Sequence, residues 1–299
     1  MQGQRVLITG GGGFIGGALV DDLRSEASVR LLDVDLGEDV PDDVRAVEGD
    51  VRDEQVLEEA MAGVDVVFHQ AAIVSVEASI EDPLRSHSVN VAGTLRVLEA
   101  ARRHDARAVL ASSAAVYGDP ERVPIPETAP LEPTSPYGLE KLALDTYARL
   151  YHELYGLETV ALRYFNVYGP GQSGGDYAGV IDAFLDRARA DEPIRVHGDG
   201  EQTRDFVHVD DVVAANRLAA ETDEVGVAYN VGTGESVTIN RLAEQVRDAV
   251  GSDSAIVHTD GREGDIRHSR ADVARARERL GYRPTVDLRS GLETLVDDA

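Results

Sequence analysis

Tyr137 and Lys141 are the side chains whose types and spacing most clearly indicate chemistry. They are four residues apart in a segment with a helical pattern, which puts both side chains on one face of a helix. A tyrosine hydroxyl, with a pKa of about 10, is a poor base at neutral pH, but a nearby ammonium group favours the phenolate. The pair is therefore typical of a general base that takes a proton from a substrate hydroxyl while a hydride leaves the same carbon.

Lys141 is also the only lysine of the chain, because 28 of the 29 basic residues are arginine. An arginine at this position would stay charged and bulky, whereas a compact ammonium group can bond a cofactor ribose and tune the phenol. The retention of a single lysine at this distance from a tyrosine indicates a catalytic unit.

Ser113 lies upstream of this pair, at the end of a predicted strand. In open α/β sheets, reactive groups collect at the carboxyl ends of the strands. We expect Ser113 to bond the reacting oxygen and to relay its proton to Tyr137. The alternative is a serine that only caps the end of the strand.

The first predicted strand runs into a glycine-rich loop, residues 9–16, of sequence TGGGGFIG, and a helix follows. Glycines let the backbone approach a pyrophosphate closely, and the helix N-terminus offers free N–H groups and a partial positive charge. Gly10, Gly13 and Gly16 are spaced at three, and Gly16 allows the helix to lie close to the sheet. Together with Phe14 and Ile15, they are predicted to bind a dinucleotide.

Acidic residues follow the second and third predicted strands. Asp33 can accept hydrogen bonds from ribose hydroxyls and would repel a 2′-phosphate, which favours NAD over NADP. The alternative for Asp33 is an ordinary solvated acid. Asp50, with Val51 beside it, is predicted to reach the adenine; the alternative for Asp50 is a helix N-cap.

Short β-rich runs alternate with helical patterns, which predicts a doubly wound parallel Rossmann sheet of the α/β class. The predicted strands are Arg5–Thr9, Val29–Asp33, Val44–Val47, Asp65–His69, Ala106–Ser112 and Glu158–Arg163. The helical patterns between them are Phe14–Arg24, Glu54–Met61, Pro83–Arg103 and Tyr137–Tyr155.

The regular alternation weakens after about Tyr164, where loops rich in Gly and Pro appear. We expect an NAD-binding domain over residues 1–164 and a smaller substrate-binding lobe over 165–299, with some segments of the lobe packed back onto the sheet. The helices predicted in this lobe are Val180–Ala190, Asp210–Ala220, Ile239–Val250 and Ala271–Leu280.

The composition excludes several classes of function. A net charge of −26 repels nucleic acids and anionic lipids, whose binding requires clustered basic residues. The chain has no cysteine, and its sequence contains neither a cleavable leader nor a long apolar segment, so we expect a soluble cytoplasmic protein. The acid excess indicates a halophile, because molar salt screens carboxylate repulsion; a GC-rich genome could also favour arginine.

These residues together resemble the extended short-chain dehydrogenase/reductase superfamily and, within it, the nucleotide-sugar 4-epimerases. Loop 9–16 resembles the family's cofactor loop, and Ser113, Tyr137 and Lys141 fall on its catalytic triad. The resemblance implies further contacts to NAD: Asp50 to the adenine, residues 69–72 with Ala71 beside the nicotinamide ribose, Asn90, and Tyr164 near the nicotinamide.

The resemblance also implies a substrate site that binds a nucleotide sugar, most simply a UDP-hexose. It places Asn166 at the substrate diphosphate, Arg204 and Arg262 at the phosphates, and Asp265 at the ribose. Guanidinium groups suit phosphate oxygens, which agrees with these roles. Ser269 stands where some 4-epimerases hold a bulky tyrosine, and this small residue implies room for N-acetylated hexosamines.

The reaction that the resemblance implies is inversion at C4 of the sugar through a transient 4-keto intermediate. The family's 4,6-dehydratases place Asp-Glu after the catalytic Ser or Thr, whereas this chain has Ala114 and Ala115 and so lacks that proton donor. The alternative is another NAD(P)-dependent sugar-nucleotide enzyme, a reductase or a dehydratase. The family also implies a homodimer, and the scattered histidines give no metal site.

Overall fold

The computed structural model describes residues 1–37, 40–172, 179–261 and 264–297. The strands, in chain order, are β1 (Arg5–Thr9), β2 (Ser28–Asp33), β3 (Arg45–Glu48), β4 (Val66–His69), β5 (Arg107–Ser113), β6 (Thr159–Tyr164), β7 (Asn166–Tyr168), β8 (Ile194–His197), β9 (Thr203–Arg204), β10 (Phe206–His208), β11 (Val227–Val231), β12 (Val237–Thr238) and β13 (Ile256–Thr259). The α-helices are α1 (Phe14–Leu23), α2 (Glu54–Met61), α3 (Val76–Glu81), α4 (Pro83–His87), α5 (Thr94–His104), α6 (Pro136–Tyr155), α7 (Val180–Arg189), α8 (Val209–Glu221), α9 (Ile239–Val250) and α10 (Leu288–Asp297).

Within the described parts of the chain, seven strands form one central sheet in the order β11-β6-β5-β4-β1-β2-β3. Every neighbouring pair in this sheet is parallel. Strand order reverses between β1 and β4, which opens a crevice at their carboxyl ends, where open α/β sheets bind ligands. The predicted doubly wound parallel sheet is confirmed.

Helices cover both faces of this sheet because successive side chains of a strand point to opposite sides. Ile8 and Phe68 pack with buried residues of α1 and α8 on one face. Leu7 and Val67 pack with buried residues of α2, α5 and α6 on the other face. A third apolar cluster joins α7, α9, α10 and β8.

Strands β7–β10, β12 and β13 and helices α3 and α10 were not predicted from the sequence, and three further differences concern the central sheet and the predicted helices. β11 was not predicted, yet it pairs along β6. The predicted continuous helix Pro83–Arg103 is interrupted by a π-helical stretch, Ser88–Gly93, in which the Asn90 side chain is buried and bonded to residues outside the helix. The helix predicted from Ala271 begins only at residue 274, because residues 270–272 form a parallel β-bridge with Ile125.

His69, the last residue of β4, is 2% exposed and lies between two threonines. The Thr94 hydroxyl donates to the Asn90 carbonyl, so it accepts from Nε2–H of His69 at 3.0 Å. Nδ1 is then the unprotonated nitrogen and accepts from the Thr9 hydroxyl at 2.7 Å. Burial, with a smaller contribution from the positive charge of Lys141, lowers the pKa of His69 to about 3.

We expect His69→Gln to reduce the loss of stability in mild acid. The folded-state pKa of about 3 lies below the ordinary value of 6.5, so the unfolded chain binds the extra proton and stability falls as pH drops below 6.5. Between pH 7.5 and 5.5 the wild-type free energy of unfolding should fall by about 1.4 kcal/mol more than that of the variant. Denaturant unfolding at the two pH values, in the same salt, measures this difference; equal losses would contradict the neutral buried imidazole.

Candidate active site

A cavity of about 900 Å³ opens at the carboxyl ends of β1 and β4. It brings together residues from the glycine loop, from the ends of β2, β5 and β6, and from the start of α6. The predicted cofactor and catalytic residues that line it are Gly10, Gly13, Phe14, Ile15, Gly16, Asp33, Asp50, Val51, Ala71, Ser113, Tyr137, Lys141 and Tyr164. Asn90 lies outside the lining, since its amide is bonded to Ile73 and Glu140.

The glycine loop leaves no room for side chains where a dinucleotide would pass. A Cβ on Gly10 would lie 2.5 Å from the Ala71 nitrogen, and Gly10 has a φ of +73°. A Cβ on Gly16 would lie 2.0 Å from the Gly10 carbonyl oxygen. α1 begins without a side-chain cap, so N–H groups of its first turn are free for an anion. These features fit the pyrophosphate of NAD.

Two acidic residues border the part of the cavity beside β2 and β3. The Asp33 carboxylate accepts from the backbone N–H of Gly12 at 3.0 Å and of Asp35 at 3.2 Å. The Asp50 carboxylate pairs with Arg52 at 2.5 Å, and this hydrogen bond lowers its pKa. The alternative of Asp50 as a helix cap is wrong, because Asp53 caps α2.

The Tyr137–Lys141 pair lies in the first two turns of α6, which Ser135 caps through the N–H of Gly138. The Lys141 Nζ is 5.7 Å from the centre of the Tyr137 ring and donates to the carbonyl of Ala111 at 2.8 Å. The lysine is 4% exposed. Burial lowers its pKa to about 8, and the carboxylates of Asp145 and Glu140 oppose this effect. Lys141 is therefore mainly an ammonium at neutral pH.

Tyr137 is half-buried, and burial of its hydroxyl raises the pKa to about 12, while a hydrogen bond with Ser113 acts in the opposite direction. Ser113 is the last residue of β5, and its hydroxyl also accepts from the N–H of Ala115 at 3.2 Å. Ser113 therefore caps the turn that follows β5, which agrees with the alternative interpretation, and it lines the same cavity as Tyr137. The arrangement can pass a proton between a bound hydroxyl, the serine and the phenol.

Tyr164 is held by Gln70, which lies in the predicted segment 69–72, and by Asn216, which the sequence interpretation did not single out. Its hydroxyl accepts from the Asn216 amide at 2.9 Å and from the Gln70 amide at 3.3 Å. Burial raises the pKa of Tyr164 to about 12, so it stays a neutral phenol. The only sequence signal for Asn216 is a polar residue among the apolar positions of α8, where it is fully buried.

A second cavity, of about 430 Å³, contains the predicted substrate residues Arg204 and Asp265. These two form an ion pair, and the Gln202 amide also bonds Asp265. Asn166 borders both cavities. Ser269 is 3% exposed, with its N–H bonded to the Thr203 carbonyl, and it lines neither cavity.

Arg262, the remaining predicted substrate residue, lies outside the described residues. Among the residues that are described, no group of three or more His, Asp or Glu side chains is arranged to hold a metal ion. The same residues include no helix long and apolar enough to span a bilayer.

Comparison with known proteins gives consistent results. Residues 6–232 match the NAD dependent epimerase/dehydratase family. The UDP-glucose 4-epimerase of Mycolicibacterium smegmatis is 37% identical over 98% of this chain and 97% of its own. The structure of the UDP-N-acetylglucosamine 4-epimerase of Methanobrevibacter ruminantium, solved with UDP-N-acetylmuramic acid, matches with a TM-score of 0.94 and 36% identity. This match covers 100% of each chain. The structure of the Thermus thermophilus UDP-glucose 4-epimerase, solved with NAD, matches over 98% of each chain with a TM-score of 0.90 and 38% identity.

Proposed function

The chain belongs to the NAD dependent epimerase/dehydratase family, and from that premise we propose that it is an isomerase that inverts C4 of a UDP-hexose. The observation that carries the proposal is the position of Ser113, Tyr137 and Lys141, which line the same cavity as the glycine loop. A reversible hydride transfer at a carbinol carbon requires proton-transfer groups and a dinucleotide-binding loop in the same cavity.

The residues that would hold NAD are the glycine loop at the pyrophosphate, Asp33 at a ribose, and Tyr137 and Lys141 at the nicotinamide end. When bound, NAD⁺ supplies the hydride acceptor and a positive charge that favours the tyrosine phenolate. Tyr137 removes the proton of the C4 hydroxyl, with Ser113 as its hydrogen-bonding partner. Lys141 stabilises the phenolate through its charge. Tyr137 later returns the proton to the C4 oxygen, once the 4-keto sugar has turned so that the opposite face of C4 would receive the hydride.

Epimerisation is preferred to dehydration because of the residues that follow Ser113. Ala114 and Ala115 form the first residues of a 3-10 turn that ends at Tyr117. Neither side chain can protonate a leaving hydroxyl, which elimination of water requires. The small side chains thus support a reaction that needs only one acid–base group.

We assign the nucleotide diphosphate of the substrate to the second cavity and its junction with the first. Arg204 is largely buried there beside Asp265, so its guanidinium can bind phosphate oxygens away from bulk solvent. Asn166, at the border of the two cavities, is assigned to the diphosphate. Similarity to a UDP-N-acetylglucosamine 4-epimerase supports acceptance of N-acetylated sugars as well.

The decisive measurement is proton NMR of the products formed from UDP-glucose and, separately, UDP-N-acetylglucosamine, in molar KCl. We expect UDP-galactose from the first and UDP-N-acetylgalactosamine from the second, each reaching a fixed ratio with its substrate. Net consumption of NADH would instead indicate a reductase, and release of water a dehydratase. If UDP-glucose were converted and UDP-N-acetylglucosamine were not, only the wider substrate range would be refuted.

A further inference from the structure

Three charged side chains are buried together with the catalytic lysine. Glu140, Lys141 and Asp145 lie on α6, and Arg163 lies on the neighbouring strand β6; each is at most 8% exposed. Charged residues are almost never this buried unless they are paired. The group contains two cations and two anions, so it is neutral only when Lys141 carries its proton.

Asp145 is placed to act on Lys141 directly. It is four residues further along α6, so the two side chains lie on one face of the helix. One of its oxygens, Oδ2, accepts from Nε of Arg163 at 2.5 Å. The other, Oδ1, is buried and has no hydrogen-bond partner among the described residues. Burying a carboxylate oxygen without a hydrogen bond costs free energy, and a nearby positive charge offsets that free-energy cost.

Arg163 fixes the position of this carboxylate. Its Nη1 donates to the Tyr117 hydroxyl at 2.8 Å and to the Glu127 carbonyl at 3.2 Å. The Tyr117 hydroxyl in turn donates to Asn230 at 2.6 Å. The guanidinium is thus held by three elements at once, and Asp145 cannot turn away from α6 without losing its ion pair.

Glu140 is the other buried carboxylate, but its contacts point to a different role. It precedes Lys141 by one residue, which places it about 100° around the helix from the lysine. Its Oε2 accepts from the Ser86 hydroxyl and from the Asn90 amide, both at 2.7 Å. Glu140 therefore mainly binds the π-helical stretch and contributes less to Lys141.

We propose that Asp145, held in place by Arg163, is a positioning residue whose negative charge keeps the buried Lys141 in its ammonium form. The proposal rests on the proposed function in one respect, since the ammonium matters because it favours the Tyr137 phenolate. Asp145 does not line the cavity of the candidate site and acts only through Lys141.

The surroundings of Lys141 leave Asp145 as the main source of this effect. Burial lowers the pKa of the lysine only to about 8, because the carboxylates of Asp145 and, to a smaller extent, Glu140 oppose the effect of burial. Among the described residues, the titratable group that faces it from β4 is His69, which is neutral because its pKa is about 3. Tyr137 and Glu140 on α6 also lie beside the lysine, whereas Arg163 on β6 is paired with Asp145. Tyr117, in the turn after β5, contacts Arg163.

The single lysine makes a direct test available. Protein grown with lysine carrying ¹³C at the ε-carbon gives one side-chain signal, from Lys141, and its chemical shift can be followed from pH 6 to 10 without substrate. We expect a wild-type midpoint near 8. In Asp145→Asn the midpoint should fall by about one pH unit, because the countercharge is gone. In Arg163→Gln it should rise by about one unit, because Asp145 then acts on Lys141 alone.

Both variants break the ion pair between Asp145 and Arg163. If that pair had only a structural role, the two substitutions would shift the Lys141 midpoint in the same direction or would leave it unchanged. Glu153→Gln is the matched control, because Glu153 forms an exposed ion pair on the same helix and should leave the titration unchanged. An unchanged Lys141 midpoint in Asp145→Asn would overturn the proposal. This outcome does not depend on whether Arg163→Gln folds. A wild-type midpoint below 7 would overturn it without any variant. Because the signal needs no turnover, these outcomes are independent of whether the chain is an epimerase.

Discussion

Tyr137→Phe is expected to lower kcat by about 10³-fold while the protein keeps its NAD. The phenol is the group that accepts and returns the C4 proton in the proposed reaction, and phenylalanine retains the ring but cannot carry a proton. The ring contact with the Lys141 Nζ, at 5.7 Å, should be preserved. Turnover of UDP-glucose followed by NMR measures the loss, and NAD released on denaturing the purified variant measures cofactor retention.

Tyr155→Phe is the matched control for this prediction. Tyr155 ends the same helix, and its side chain is 55% exposed. Its substitution should leave both kcat and cofactor content unchanged. If Tyr137→Phe retained activity close to the wild type, the base would lie elsewhere. If it lost its NAD as well as its activity, Tyr137 would be needed for binding and its role as base would remain to be separated by single-turnover measurements.

Lys141→Arg is expected to lower kcat by about 10²-fold, although it preserves the positive charge. Among the described residues, the Lys141 Nζ has one protein acceptor, the Ala111 carbonyl at 2.8 Å, and the lysine is 4% exposed. A guanidinium is larger, spreads its charge over five N–H donors and needs more acceptors than this site offers. The thermal midpoint should fall together with the rate.

Lys141→Met separates the effect of charge from that of shape. Methionine fills a similar volume without a charge, so this variant should lose activity while it retains the fold. Comparison of kcat and thermal unfolding for the three proteins measures both effects. An arginine variant within tenfold of the wild-type rate would show that any cation suffices at this position, and the presence of a lone lysine would then need another explanation.

The first six strands of the sheet could be predicted from the sequence because each is a short apolar run next to a helical pattern. β11 was not predicted, because Asn230 interrupts its apolar run, and the partners that allow this polar side chain to be buried, Tyr117 and Ile125, lie more than a hundred residues earlier in the chain. The π-helical stretch was missed for a similar reason. Its cause is the inward Asn90 amide, whose partners Ile73 and Glu140 come from other parts of the chain.

The candidate site shows the same division. Tyr137 and Lys141 are separated by one helical turn, and the glycine loop is contiguous, so local spacing predicts which residues meet. Asp145, Arg163 and Asn216 support those groups from positions that look like ordinary helix or strand residues in the sequence. Their roles depend on burial, which only the packing of α6 and α8 against the sheet creates.

The junction at Asn166 has a consequence for how a reactive intermediate is retained. In the proposed binding mode, a ligand anchored by its nucleotide end beside Arg204 would carry its sugar on a short tether into the catalytic cavity past Asn166, which borders both cavities. Tethering over a few bonds gives the free end an effective concentration of the order of millimolar or more. A ketone that leaves Tyr137 is then recaptured faster than it escapes, and either face of its ring can return. Release of free 4-keto sugar should therefore be rare compared with turnover, because the anchored end outlasts many reorientations of the sugar.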